Sequence, residues 1–223
     1  MSKNVVLMEF EGNPNIGIYM FSNNKFCLIG REVDDKKKQE IEKVLEVPVY
    51  KVSILETELV GIFVAGNDGF LVVPELFDYE KELLEKICKE HDTKLVILNN
   101  RLNTFGNNMS FGEDIIMINS EYTDSFIDKL KKLTKLKVVK ILSEEYKAIG
   151  SVCKFANSKF FVSQEFDEKE MQPVIDKVAG VGTINAGSAY IASGAVCNNN
   201  GLIIGSMSTT VEIQNIVESL DFL

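Results

Sequence analysis

The side chains best suited to chemistry in this chain are four cysteines, Cys27, Cys88, Cys153 and Cys197, and a single histidine, His91. A thiol becomes a useful nucleophile when a neighbouring base or cation lowers its pKa, and histidine is the usual partner. A structural zinc site needs about four sulfur or nitrogen ligands, often with two of them in a C-x-x-C pair. None of the four cysteines lies in such a pair, and one histidine leaves a zinc site short of ligands. His91 follows a helical stretch in Lys89-Glu90-His91-Asp92, an outer and exposed location. No catalytic residue, metal site or cofactor is therefore expected. The other polar residues that stand out are Asn107 and Asn108, and they stand out because they interrupt a repeat.

The repeat is marked by a glycine after an apolar residue. It occurs in Asn15-Ile16-Gly17-Ile18-Tyr19, Leu59-Val60-Gly61-Ile62-Phe63, Thr104-Phe105-Gly106-Asn107-Asn108, Ala148-Ile149-Gly150-Ser151-Val152 and Ala192-Ser193-Gly194-Ala195-Val196. The steps between Gly17, Gly61, Gly106, Gly150 and Gly194 are 44, 45, 44 and 44 residues. A fixed period of this kind signals a repeat architecture. Each glycine is read as lying in a strand. A polar turn follows: Asn23-Asn24-Lys25, Asn67-Asp68-Gly69, Gly112-Glu113-Asp114, Asn157-Ser158-Lys159 and Asn199-Asn200-Gly201. Such residues suit tight hairpins. A second apolar strand comes next, then a helix capped by Asp34, Asp78, Thr123, Asp167 or Thr209.

Each helix carries one apolar stripe at i, i+3, i+4 spacing. The stripes are Ile41, Val44 and Leu45; Leu83, Leu84, Ile87 and Cys88; Phe126, Ile127, Leu130 and Leu133; Met171, Val174, Ile175 and Val178; and Ile213, Ile216, Val217 and Leu220. Pro173 predicts a late start or a bend in the fourth helix. A third strand links each helix to the next unit, over 47–53, 93–99, 136–142 and 181–185, with 4–10 supplying it for the first unit. One such unit cannot bury its own apolar face, whereas five closed into a ring bury every face and leave no sheet edge. The expected fold is a single α/β domain, a pseudo-fivefold α/β propeller with strands lining the axis and helices outside. Its repeats span about 4–46, 47–91, 92–135, 136–180 and 181–223. A closed ring needs no second copy to cover its core, so a monomer is expected.

Aligned units act as an internal comparison. Three residues after the glycine stand Met20, Val64, Met109, Cys153 and Cys197, a row that reads as core and makes its two thiols structural. One residue after it stand Ile18, Ile62, Asn107, Ser151 and Ala195, and two after it Tyr19, Phe63, Asn108, Val152 and Val196. Unit three breaks both rows. A break in a local pattern marks either a functional residue or one making local turn hydrogen bonds, and both readings stay open for Asn107 and Asn108. Arg101 and Asn103 precede the same glycine and extend the patch or form a solvated loop.

Apolar residues make up 45% of the 223-residue chain and charged residues 26%, as in ordinary globular proteins. The net charge of −9 does not advertise the basic face that phosphate contacts demand, so DNA is not an expected partner. No apolar run approaches the ~20 residues that span a bilayer. The segment Met1-Ser2-Lys3-Asn4 leads straight into a strand-like run without the features of a signal peptide, so a cytoplasmic protein with reduced thiols is expected.

Several motifs resemble the translation initiation factor 6 family, whose architecture is the pentein ring. They are Asn13-Pro14-Asn15-Ile16-Gly17, Leu59-Val60-Gly61, Gly69-Phe70-Leu71-Val72-Val73-Pro74, Asn103-Thr104-Phe105-Gly106-Asn107, Ile149-Gly150-Ser151 and 181–188 (Val-Gly-Thr-Ile-Asn-Ala-Gly-Ser). The resemblance covers essentially the whole chain, and the length is similar to that of archaeal members. It implies binding to the intersubunit face of the large ribosomal subunit, at ribosomal proteins beside the sarcin–ricin loop of the rRNA. Steric exclusion of the small subunit follows, with roles in subunit maturation and initiation. The family's Gly-Asn pair carries onto Gly106-Asn107 and its Asn-x-Gly pair onto Asn185 and Gly187. With Arg101, Asn103 and Ile62, these form the expected ribosome-binding set. Ala186 stands where the family often has a basic residue, and Met207-Ser208-Thr209 where it usually has Asp-Thr-Thr. The competing expectation rests on architecture alone: other penteins modify guanidines with a cysteine nucleophile, and Cys197 lies in the last unit.

Overall fold

A computed structural model describes residues 4–143, 147–166 and 168–223. The central strand of each unit is apolar on both faces, as a strand buried on both sides must be. Cys27–Gly30 (β3), Ile115–Asn119 (β9) and Leu202–Gly205 (β15) are buried throughout, and Phe70–Val73 (β6) and Lys159–Ser163 (β12) nearly so. Each central strand pairs antiparallel with the strand before it in a hairpin: Met20–Ser22 (β2), Ala65–Gly66 (β5), Met109–Phe111 (β8), Cys153–Ala156 (β11) and Ala195–Cys197 (β14). Its other edge pairs parallel with the strand that follows the next helix: Val49–Val52 (β4), Lys94–Ile97 (β7), Lys137–Ile141 (β10) and Val178–Gly182 (β13).

Five three-stranded sheets result. In the fifth, the parallel partner of β15 is the first strand of the chain, Val5–Met8 (β1). The ring is thus closed by main-chain hydrogen bonds between its two ends. The first strand of each repeat interval belongs to the sheet of the preceding one.

The outer layer is helical. Asp35–Leu45 (α1), Asp78–Glu90 (α2), Asp124–Thr134 (α3) and Thr210–Ser219 (α5) face the sheets with their apolar stripes. Leu83 is the exception: it points outward and is 40% exposed, while Leu84, Ile87 and Cys88 carry the burial of α2. Asp34, Thr123 and Thr209 cap as expected, accepting from Lys37, Phe126 and Glu212 backbone N–H groups. Asp78 does not cap. It is the first helical residue after an extended Phe77, where its charge still favours the positive end of the helix dipole. The expected cap Asp167 lies outside the described residues. The fourth helix, Glu168–Met171 (α4), is one turn long and tightens at Pro173 into a 3-10 segment, Gln172–Lys177. Val178, expected on that helix, begins β13 instead.

The glycines are not in strands. They sit in one-turn helical segments at the axis: Ile16–Ile18, Val60–Phe63, Phe105–Asn108, Ile149–Ser151 and Ile191–Gly194. A Cβ on Gly61 would overlap the carbonyl oxygen of Gly17, one on Gly106 that of Gly61, and one on Gly150 that of Gly106. Only a residue without a side chain lets successive turns approach so closely. A Cβ on Gly17 would overlap the carbonyl oxygen of Ala192, so Ala192, not Gly194, is the fifth member of this row. The hairpin turns agree. Asn23, Asn67, Gly112 and Asn198 each make the same turn hydrogen bond six residues after Gly17, Gly61, Gly106 and Ala192. The fifth unit is therefore two residues shorter between turn and hairpin than the glycine spacing implies. Cys197 consequently leaves the row of Met20, Val64, Met109 and Cys153, where Ala195 belongs, and lines up with Ser22, Gly66, Phe111 and Phe155.

The hairpin end is tied by two arcs of hydrogen bonds. The Nδ2 of Asn198 donates to the carbonyl of Asn23 (3.1 Å), that of Asn23 to Asn67 (3.1 Å), and that of Asn67 to Gly112 (2.9 Å). Outside them, the N–H groups of Asn157, Asn199 and Asn24 donate to the side chains of Asn199, Asn24 and Asp68 at 2.7–2.8 Å.

Candidate functional site

Because the second and third strands of each sheet run parallel, their C-terminal ends all emerge at the end opposite the hairpins. The loops there, together with the axial turns, form one face of the ring. Ile62, Arg101, Asn103, Asn107, Asn185 and Gly187 all lie on it, so the residues expected as a binding set are gathered at one end.

The two asparagines of unit three have different environments. Asn108 is buried and fully engaged: its Nδ2 donates to the Thr104 carbonyl and hydroxyl at 2.9 Å, and its Oδ1 accepts from Asn119 at 2.7 Å. Asn107 is half-buried at the mouth of the axial cavity, and its side chain has no hydrogen-bond partner among the described residues. The strand read for this stretch is absent, because both asparagines sit in the helical turn Phe105–Asn108. Asn108 is structural, and Asn107 keeps an amide that no described residue engages. Arg101 is exposed and Asn103 and Ile62 are half-exposed. Arg101 helps Lys147 hold the Glu121 carboxyl below its usual range; the Lys147 hydrogen bond at 2.7 Å is the main cause.

Asn185 and Gly187 occupy a tight turn with φ of +48° and +103°, flanking Ala186 at +62°. Asn185 spends its side chain on the fold, donating to the Pro14 carbonyl at 3.1 Å and so bridging the fifth unit to the first. Nothing lies within 4 Å of a Cβ built on Gly187, so its surroundings are open. The turn is held from behind by Glu212. One carboxylate oxygen accepts from the N–H of Gly187 (2.8 Å) and the Thr183 hydroxyl (2.7 Å), the other from the N–H groups of Ala186 (3.1 Å) and Thr209 (2.7 Å). Burial alone would raise this carboxyl, but the donors from Thr209, Thr183 and Gly187 outweigh it and hold it at about 2. Glu80 serves the corresponding turn of unit two, accepting from Leu55 N–H (3.0 Å), Glu56 N–H (2.9 Å) and the Ser53 hydroxyl (2.8 Å). Sequence reading missed both glutamates. The capping-box spacing of Thr209 and Glu212 was the available signal for one of them.

The thiols are buried and shifted away from reactivity. Burial raises Cys27 and Cys153, and pushes Cys88 up to about 12. Cys197 is pushed up to about 11 by burial, with Lys154 pulling the other way. His91 packs against Phe26 and Tyr50, whose hydroxyl lies 2.8 Å from its Nε2. Among the described residues no group of three or more His, Cys, Asp or Glu is arranged to hold a metal ion, and no helix is long and apolar enough to cross a membrane.

The fold is the pentein architecture. A dimethylarginine dimethylaminohydrolase adduct with S-methyl-L-thiocitrulline superimposes with a TM-score of 0.52 at 11% identity, over 95% of this chain and 77% of that one. That likeness concerns the fold alone. A protein of Thermococcus onnurineus named translation initiation factor 6 is 31% identical, over 97% of both chains. One of the same name from Saccharolobus islandicus is 28% identical, over 97% of this chain and 99% of its own. The model of the eIF-6 family matches residues 5–219. With a match over nearly its whole length and a closed ring of five sheets, this chain belongs to the eIF-6 family.

Proposed function

We propose that this protein is a translation initiation factor that binds the large ribosomal subunit on its intersubunit face and keeps the small subunit away by occupying that surface. The observation that carries the reading is Asn107: a half-buried amide without a partner, on a rigid turn, at the end of the ring where the other expected contact residues lie. Arg101, Asn103, Ile62 and the backbone of the Ala186–Gly187 turn complete the contact. Ribosomal proteins beside the sarcin–ricin loop suit the acidic chain better than bare rRNA, although Arg101 allows one phosphate contact. Asn185, Glu80 and Glu212 hold the loops in place without touching the partner.

The mechanism is steric and needs no chemistry. Cys197 is kept protonated at neutral pH, and the single histidine packs with Phe26 and Tyr50 in the outer layer. Sucrose-gradient sedimentation with homologous subunits tests the reading. Salt-sensitive cosedimentation with large subunits, reduced subunit joining, and a weakening of both on Asn107→Ala are expected. A protein that stays at the top of the gradient at low salt ends the proposal. Turnover of arginine-like substrates that Cys197→Ser abolishes would replace it with the enzymatic one.

A further inference from the structure

A pocket of about 140 Å³ opens at the same end of the ring as Asn107, where the loops after β1, β3 and β4 meet. Its floor is Phe10, Tyr19 and Val33. Phe10 meets Tyr19 edge-on, with ring centroids 5.6 Å apart and planes at 83°, and Asn13 donates to the Tyr19 hydroxyl at 3.1 Å. The phenol ring is thus fixed from two sides while it stays half-buried. The rim carries Glu11, Glu32, Asp34 and Glu58. None of the four makes an ion pair among the described residues, whereas Asp35, next along the chain, is paired with Lys51. Asp34 and Glu58 accept from backbone N–H groups, those of Lys37 (2.9 Å) and Glu32 (2.8 Å).

The repeat shows what sets this loop cluster apart. The third residue of α2 is Glu80 and that of α5 is Glu212, and each turns its carboxylate onto a neighbouring left-handed turn. The third residue of α1 is Lys37. Its ammonium donates to the Glu9 carbonyl at 2.6 Å and lies 5.5 Å from the centre of the Phe10 ring. The turn at Glu11 and Gly12, with φ of +51° and +80°, therefore has a cation behind it where the other two have an anion. That cation is already engaged, and it is the one positive side chain against four negative ones in the lining.

We propose that this pocket receives an arginine side chain of a basic protein partner, its guanidinium against the Tyr19 ring and paired with carboxylates of the rim. The sign of the charge follows from complementarity: the excess of carboxylates repels a phosphate and attracts a cation. Arginine follows from the floor, because a planar, weakly hydrated guanidinium stacks on an aromatic ring and still offers in-plane donors to carboxylates, which an ammonium does less well. The volume suits one such head group. This inference rests on the ribosomal reading for the identity of the partner, a ribosomal protein. It adds the chemistry of one contact and extends the contact surface from Asn107 and Ile62 to unit one.

Two measurements on the full chain test it. In the first, NMR follows the protein alone with Nα-acetyl-arginine methylamide, and with the citrulline analogue as the uncharged control of the same shape. Saturable shifts confined to Tyr19, Val33 and the rim are expected with the arginine probe, absent with citrulline and lost in Glu32→Lys. No localised shift, equal shifts with both probes, or a response to uridine monophosphate instead overturns the pocket. In the second, Glu32→Lys is expected to weaken cosedimentation with large subunits about tenfold or more, since it sets like charges against each other. Wild-type protein that cosediments while Glu32→Lys does so equally well overturns this inference and leaves the ribosomal reading standing. Wild-type protein that does not cosediment ends that reading and the ribosomal partner with it, while the first measurement still decides whether the pocket binds a guanidinium. Should Glu32→Lys fail to fold, Glu11→Lys on the exposed turn carries the same reversal, and unchanged cosedimentation in that variant overturns the inference equally.

Discussion

Glu212 accepts the backbone N–H of Gly187 at 2.8 Å, so a helix of the outer wall holds a loop at the end of the ring opposite the hairpins in its strained left-handed conformation. The bond is one of several on this carboxylate, and the anion is what all of them favour. The Glu212 carboxyl is held at about 2, against an ordinary 4.5. A depressed folded pKa gives stability that is complete above the unfolded value and is lost as pH falls towards the folded one. About 3 kcal/mol is at stake if the shift is realised in full. Acid unfolding between about pH 4.5 and 2 is expected to flatten in Glu212→Gln, which also lowers Tm at pH 7; an unchanged acid limb in a folded variant contradicts the clamp.

The axial turns leave no room for side chains. Gly106→Ala would drive its Cβ into the Gly61 carbonyl, which belongs to backbone that cannot rotate away. A loss of about 3 kcal/mol or more, or failure to fold, is expected. Gly69→Ala, whose nearest neighbour is the Asn67 side chain at 3.5 Å, serves as the mild control. Ala192→Gly is expected to fold, since Ala192 holds the same place as the four glycines. Chemical denaturation of the three variants reads the order directly.

Asn107 and Asn108 separate function from stability. Asn107→Ala is expected to change stability by less than about 0.5 kcal/mol while weakening cosedimentation with large subunits. Asn108→Ala strands the amide of Asn119 and the hydroxyl of Thr104, at a cost of about 1–3 kcal/mol. Equal effects of both substitutions on stability would contradict the assignment.

Lys154→Met removes a partly buried charge that lines the axial cavity and replaces it with a side chain of similar length. Its Tm is expected to rise at neutral pH, because burial disfavours the Lys154 ammonium. Because burial lowers the folded pKa of Lys154, its penalty is complete below that value and fades as pH rises towards the unfolded value. Wild-type stability should therefore gain on the variant with increasing alkalinity, and parallel pH–Tm curves for the two proteins would refute this.

The sequence by itself determined the architecture. Apolar central strands, capped helices with one greasy stripe, and polar hairpin turns at a 44-residue step permit few ways to bury every face, and a closed ring is one of them. The family motifs also singled out the Gly106-Asn107 pair, which the structure places in an axial turn. What the sequence could not supply is distance between units. Gly194 matched the glycine period, yet Ala192 fills the row, because register at the axis is decided by contact with Gly17 across the ring closure. That two-residue shift is what moves Cys197 out of the core row and towards Lys154. The division between Asn107 and Asn108 likewise rested on partners eleven residues away for Asn108 and on none for its neighbour. Local periodicity encodes which face a residue occupies, while hydrogen-bond satisfaction and the register at the axis depend on groups that only the folded ring brings together.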